Sequence, residues 1–238
     1  MERKEKILFA KQRLAEIWKC NVPDFDSDKN IFIETQEKFF QIVTFGKNAV
    51  ILADKSIIKW CSDTFGSVLS CDILDSDNFY LINEKLRSFG KKLGEENIRY
   101  LHLLPERIPE KPVGFDYKWY RLDEIKEFYK YKDFSNALTF NDSDRDMIAL
   151  VAYDKDKPVA MAGSDDWLGD LWQIGIDTLS EYRHRGLAVY LVKELALEIE
   201  RNGKVPYYTT WSANIASTRV ALNSGFYPVW VYYSCEDL

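Results

Sequence analysis

The chain has 238 residues, of which 46% are hydrophobic, 29% charged and 15% aromatic, a globular composition without the bias of a disordered segment. Its net charge of -6 argues against nucleic acid as a main partner, while leaving room for an anion at a locally basic loop. No apolar run approaches the roughly 20 residues of a membrane span, the four cysteines form no C-x-x-C pair or histidine-bearing metal pattern, and the acid-bearing N-terminus does not read as a secretion signal. The expectation is a cytoplasmic protein with no membrane partner and no metal, in which Cys20, Cys61, Cys71 and Cys235 are reduced, packed thiols.

From the N-terminus, the spacing of Ile7, Leu8, Leu14, Ile17 and Trp18 predicts a packing helix over 4–18. A strand over 31–34 follows, then a hairpin of 39–45 with 49–53 around Gly46-Lys47-Asn48, and a short helix over 56–60. The stripe Tyr80, Leu81, Leu86 and Phe89 predicts a helix over 77–92, and 98–104 reads as a strand. Pro105, Pro109 and Pro112, three of the seven prolines, gather in one charged segment. That segment sets the expected boundary between a domain of 1–115 and one of 116–238. Beyond it, 121–131 reads as a helix and 147–153 with 158–163 as a hairpin across Asp154-Lys155-Asp156-Lys157.

The most informative stretch comes next. Residues 171–178 alternate, with Trp172, Ile174 and Ile176 on one face and Gln173, Gly175 and Asp177 on the other, which predicts a strand. After Gly186 a helical stripe of Leu187, Leu191 and Leu195 begins, and Asn202-Gly203 ends it. Between strand and helix stands Arg183-His184-Arg185-Gly186-Leu187-Ala188. A helix start leaves its first N–H groups unpaired and carries partial positive charge, so an anion binds there readily. Gly186 and Ala188 keep the approach open, and the basic side chains add donors. Further on, 207–211 reads as a strand, 214–223 as a short helix and 226–233 as a last strand, with Gly225 where the helix end calls for positive φ.

The run Arg183-x-x-Gly186-x-Ala188 resembles the acyl-CoA loop, Q/R-x-x-G-x-G/A, of the GNAT superfamily of N-acetyltransferases. Asn214-x-x-Ser217 followed by Ser224-Gly225-Phe226 is similar to that family's downstream N-x-x-A/S segment and Gly-Phe pair, and the likeness covers 147–233. Ser180 departs from the pattern, where a proline is common. The resemblance implies an α/β fold with a mixed sheet, a GNAT-type acetyltransferase at the C-terminus behind an N-terminal α/β domain. For that N-terminal half two readings stand side by side, a degenerate GNAT-like copy and an unrelated packing domain.

The resemblance further implies acetyl-CoA as co-substrate, held by Ile176, Asp177, Thr178, Arg183, His184, Arg185, Gly186, Leu187, Ala188, Asn214 and Ser217, with the pantetheine arm against 176–178 where the family's sheet splays. The reaction implied is transfer of the acetyl group to an amine of a small molecule or peptide by direct attack on the thioester, in a monomer or homodimer. An amine with pKa ~10 needs a base or a desolvated pocket. Asp165, Asp166, Asp170 and Asp177 are candidates, Asp177 being nearest the loop, and Asp165 and Asp166 are expected in a loop beside the acceptor. The tyrosine that serves the family as general acid is replaced by Ala221, so Ser217 or one of Tyr190, Tyr207, Tyr208 and Tyr227 is the alternative. Asn214 also reads as a simple N-cap. Trp167, Trp172, Trp211 and Trp230 are expected to flank the cleft, with core filling the role of at least two. A second reading of the whole is a catalytically weak or inactive acyl-CoA-binding sensor module, motivated by Ala221. A third, nucleotide binding by the same loop, lacks the Lys and the spacing of a G-x-x-x-x-G-K-[ST] loop.

Overall fold

The computed structural model describes residues 1–70, 72–140 and 145–238; Cys71 lies outside them. In chain order the elements are α1 (Arg3–Trp18), β1 (Ile31–Glu34), β2 (Phe40–Thr44), β3 (Ala49–Ala53), α2 (Ile58–Phe65), α3 (Ser76–Arg87), β4 (Lys91–Leu93), β5 (Asn97–His102), β6 (Asp116–Arg121), β7 (Asp146–Asp154), β8 (Lys157–Leu168), β9 (Leu171–Thr178), α4 (Leu187–Arg201), β10 (Val205–Thr210), α5 (Ile215–Asn223) and β11 (Phe226–Asp237). Strands pair in both senses, parallel in β1 with β3 and in β9 with β10, antiparallel elsewhere among the pairs below. This is the expected α/β class with mixed pairing.

The chain forms two compact units, one of Ile7–Arg99 with Val229–Leu238, the other of Met1–Lys6 with Tyr100–Pro228. They part inside β5 and β11, not at the proline segment where 115 and 116 were expected to divide them. The reason is pairing. In the first unit Val231 to Ser234 of β11 hydrogen-bond antiparallel with Thr44 to Gln41 of β2, so the last strand completes the sheet of the first half. Its strand order is β1-β3-β2-β11, with β4 also on β11. The β2–β3 hairpin turns at Gly46, whose φ of +98° suits glycine. α2 and α3 cover one face, where Phe40, Ile42, Ile51, Phe65, Ile82 and Leu86 are buried together. α3 is shorter than expected. Asp75 caps it by accepting from Asn78 N at 2.9 Å, and Gly90 at φ +72° turns the chain so that Lys91 to Leu93 pair with β11. Cys61 is buried and Cys20 partly so, and burial pushes their thiols up to about 12 and about 11.

In the second unit the order β10-β9-β8-β7-β6 holds the sheet. Edge strand β6 ends at Arg121 in register with β7, and the helical turns expected over 121–131 follow it as a 3-10 helix over Leu122–Lys130 and not as an α-helix. Leu122 at φ +43° separates the two, which an α-helix does not allow. This turn and the next pack Ile125, Phe128, Phe134 and Ala137 on Ala149, Val151 and Met161. Strand side chains alternate, so the neighbouring residues face the other side, where α4 lies on β7, β8 and β9.

Two glycines let the chain cross the first of these faces closely. A Cβ at Gly175 would stand 1.7 Å from Asn136 O, and one at Gly163 2.1 Å from Ala137 O. Gly175→Ala is therefore expected to lower unfolding free energy by about 2–3 kcal/mol, because carbonyl and strand must move apart. Urea unfolding checks this, and a midpoint equal to the parent's would show that 136–137 shifts freely.

Candidate functional site

Leu171 to Ile174 of β9 pair in parallel with Val205 to Tyr208 of β10. Both strands run on, to Thr178 and Thr210, but without further pairing to each other. On its other side β9 stays paired with β8 as far as Thr178. The result is a one-sided opening beside Gly175 to Thr178. At the end of this stretch the Thr178 hydroxyl is buried and has no hydrogen-bond partner. A buried polar atom left unpaired is costly, and it fits a site that a polar ligand completes.

A short 3-10 turn, Ser180–Tyr182, leads out of β9. Lys157 bonds Glu181 at 2.9 Å, and this hydrogen bond, with others from backbone and Ser180, lowers the Glu181 carboxyl to about 2. That carboxylate stays ionised, with its charge offset by Lys157, beside the basic run. Arg183 Nε donates to Thr178 O at 3.2 Å and Arg185 Nη2 to Glu181 O at 3.3 Å. His184 and Gly186 both have positive φ, +63° and +80°, so the loop curls its backbone N–H groups inward as anion-binding turns do. The first helical bond of α4 is Tyr190 N to Gly186 O at 3.1 Å, which leaves the N–H groups of Leu187, Ala188 and Val189 for a ligand. Leu187 contributes only its backbone, since its side chain is buried core; His184 is exposed.

Beside this loop is a cleft of about 830 Å³, within the range of ligand sites, lined by Arg185, Gly186, Val189 and Asn223 and by Lys111 and Pro112 of the proline segment. Sequence reasoning assigned that segment to a boundary and missed its part in the site. Three prolines stiffen a strap as well as a linker, and nothing local tells the two apart.

At the far end of the opening, Asn214 Oδ1 accepts from Ser217 N at 3.1 Å, so Asn214 is the N-cap of α5. Ser217 Oγ and Tyr208 OH share a hydrogen bond of 2.8 Å. Burial, with a smaller contribution from the Asp177 charge, pushes Tyr208 up to about 12, against the lowering effect of Ser217. Ala221 is fully buried.

The candidate bases are placed differently from expectation. Asp177 accepts from Asn136 N at 2.7 Å, Asn136 Nδ2 at 2.6 Å and Ala137 N at 2.9 Å, which makes it the anchor of the crossing segment. Asp165 and Asp166 belong to the end of β8 and not to a loop, because that strand continues to Leu168 past an irregularity opposite β9. Asp166 pairs with Arg145 at 2.7 Å and Asp170 with Lys204 at 2.5 Å. Trp172 is core in this unit, and Trp230 lies in the other unit, stacked on Phe45 at 5.6 Å; Trp167 and Trp211 are about half exposed. Tyr190 packs on Tyr117 and Tyr207 donates to Gln173 at 2.8 Å, so both hydroxyl-bearing rings have structural duties.

A family model described as GNAT acetyltransferase matches residues 115–234. The chain belongs to this family. The match contains the splayed strands, the Arg183 to Ala188 loop and the capped helix α5, the three features just assembled. Solved structures with TM-scores of 0.50 and 0.51 agree in fold. A GCN5-related N-acetyltransferase-like protein from Streptococcus suis is 20% identical, covering 69% of each chain, with a TM-score of 0.50. A Drosophila protein is 15% identical over 78% of this chain and 67% of its own, with a TM-score of 0.51. A GNAT-family acetyltransferase from Novosphingobium aromaticivorans is 18% identical, over 61% of this chain and 66% of its own, with a TM-score of 0.45. The chain thus spans about two thirds of the length of these solved structures. A search of curated proteins gives no match. Among the described residues no cluster of His, Cys, Asp and Glu is arranged to hold a metal ion, and no helix is long and apolar enough to cross a membrane.

Proposed function

We propose that the chain is an N-acetyltransferase that takes acetyl-CoA at the splay of β9 from β10 and passes the acetyl group to an amine. The observation that carries this reading is the juxtaposition of a buried, unpartnered Thr178 hydroxyl with a basic, glycine-opened helix start. The backbone of 184–189 with Arg183 and Arg185 would hold the pyrophosphate, and the open edge of Ile176 to Thr178 the pantetheine amides. Acetyl-CoA supplies an activated thioester that an unprotonated amine attacks directly.

The residues here orient, and they manage one proton. Tyr208, kept protonated at neutral pH, and Ser217 share one hydrogen bond, so a proton passed from Tyr208 to Ser217 Oγ as Ser217 gives its own would reach the departing thiolate, the task that Ala221 cannot perform, and the proton shed by the acylated amine would restore Tyr208. A leaving thiol of ordinary pKa ~8.5 asks little of that acid. Asp177 acts by fixing 136–137 across β9, a positioning role in place of the catalytic one its sequence position implied.

Calorimetric titration should give one acetyl-CoA per chain, and addition of an accepting amine should release free CoA thiol in step with acetylated product. A folded chain that takes up no acetyl-CoA would sink the reading. Binding without thiol release across a broad set of amines would favour a sensor module, the alternative that the buried Ala221 supports.

A further inference from the structure

The proline segment does more than connect β5 to β6. Its first residues are tied to α4 and α5, with Lys193 Nζ donating to Leu104 O at 3.3 Å and Pro105 O at 2.8 Å, and Arg107 Nη1 to Leu222 O at 2.7 Å. Its far end is tied as well. Tyr117 OH donates to Pro112 O at 2.8 Å while the Tyr117 ring meets Tyr190 of the second turn of α4 at 5.0 Å. Between these anchors Pro112 comes so close to Gly186 that a Cβ there would meet Pro112 Cγ at 3.6 Å. Residues 109–115 therefore form one wall of the cleft, and the start of α4 forms another.

The charges in that cleft are unequal in availability. Asp154 accepts from Tyr182 OH at 2.9 Å, and Arg185 is spread over the Tyr182 ring at 5.1 Å. Glu110 also lines the space. No ion pair joins Lys111 to a carboxylate among the described residues; the side chain is exposed and its ammonium lies 4.8 Å over the Tyr117 ring, a contact that holds the stem at the cleft. A ligand whose pyrophosphate sits on the 184–189 backbone and whose acyl arm enters the opening at Thr178 must lead its nucleoside end the other way, past Gly186 and Val189 into this cleft.

We propose that Lys111 is a specificity residue for the 3′-phosphate of the CoA ribose, presented by the strap and not by the family's loop. This rests on the acetyl-CoA reading above. A compact ammonium on a flexible stem suits a phosphomonoester dianion at a solvent-facing rim better than a fixed fork does.

The test compares CoA with 3′-dephospho-CoA by calorimetry on the full chain and on Lys111→Ala and Lys111→Arg. The parent should prefer CoA by about tenfold or more, the size of one charge-assisted contact. Lys111→Ala should erase that preference by weakening CoA alone, and Lys111→Arg should keep most of it. A parent that binds both compounds equally, or an alanine variant that still prefers CoA, overturns the assignment while leaving the acetyl-CoA site standing. A folded parent that binds neither removes the site itself.

Discussion

If the proposed site takes acetyl-CoA, Gly186→Glu is expected to lower its affinity by at least about a hundredfold while leaving the chain folded. Two separable effects combine. Gly186 holds φ at +80°, a conformation that costs a side-chain-bearing residue about 1 kcal/mol or more, so the loop in the variant relaxes away from the shape that directs its N–H groups at an anion. The new carboxylate then stands where the phosphates would, turning an attractive helix start into a repulsive one. The fold has room for the change, since a Cβ at this position meets only Pro112 Cγ at 3.6 Å, an ordinary contact. Gly186→Ala separates the effects, because it carries the strain without the charge and should lose roughly tenfold or less. Calorimetry gives the affinities and circular dichroism the melting curves. Full binding by the glutamate variant would move the anion site elsewhere.

What the residues reveal by themselves is what local chemistry determines. The alternation around Ile174 and Gly175 names a strand because a pleat has period two. The leucine stripe after Gly186 and the cap at Asn214 name helices because both signals lie within one or two turns. Gly225, at φ +90°, has a Cβ position 2.3 Å from Leu104 O, so the glycine read as a turn is also one that permits a close crossing. The Arg183 to Ala188 loop is legible for the same reason, its six residues being contiguous.

What stays hidden depends on partners distant in sequence. Asp177 looks like a base until Asn136 and Ala137, 41 and 40 residues upstream, are found to occupy its oxygens. The opening of β9 from β10 is a matter of where pairing ends, and Thr209 and Thr210 look no different from paired strand residues. The C-terminal strand reads as the close of one domain, yet its later residues pair with β2 near the other end of the chain. Prolines report stiffness and not destination, which is why 105–115 reads as a border when it walls a cleft. The overrun of α3 has a similar cause, since Lys91 to Leu93 would extend a helix were Cys235 to Asp237 not there to pair with them.

The largest stability effect should come from a cluster no motif marks. Lys6 Nζ meets Glu200 Oε1 at 2.5 Å and His102 O at 2.7 Å; His102 Nδ1 meets the same Glu200 oxygen at 2.7 Å, and Lys193 Nζ meets His102 Nε2 at 2.9 Å. The arrangement is satisfied if neutral His102 donates from Nδ1 to the carboxylate and accepts from Lys193 at Nε2. Glu200 then meets Lys6 directly and Lys193 through His102, with Lys6, His102 and Lys193 all buried. Glu200→Ala strands those charges and should cost about 3 kcal/mol, at the low end for a buried pair because the carboxylate is 23% exposed. Lys6→Met in the same background should return part of it.

Acid should act in the same direction. Burial holds His102 below its ordinary value despite the opposing pull of Glu200, with Lys193 and Lys6 adding to the lowering. The unfolded chain therefore takes up the proton first. The His102 contribution to stability is full above about pH 6.5 and falls below it, by up to about 1.4 kcal/mol per pH unit. For Glu200, burial by itself would raise the carboxyl, but hydrogen bonds from His102 and Lys6 and their charges outweigh it, so a second loss follows as pH drops below the ordinary carboxylate range. Urea unfolding at pH 7.5, 6, 5 and about 3.5 measures both, and His102→Gln should flatten the slope between pH 7.5 and 5. If Glu200→Ala unfolds at the parent's midpoint at pH 7.5, the two lysines reach water in solution and the cluster carries no such stability.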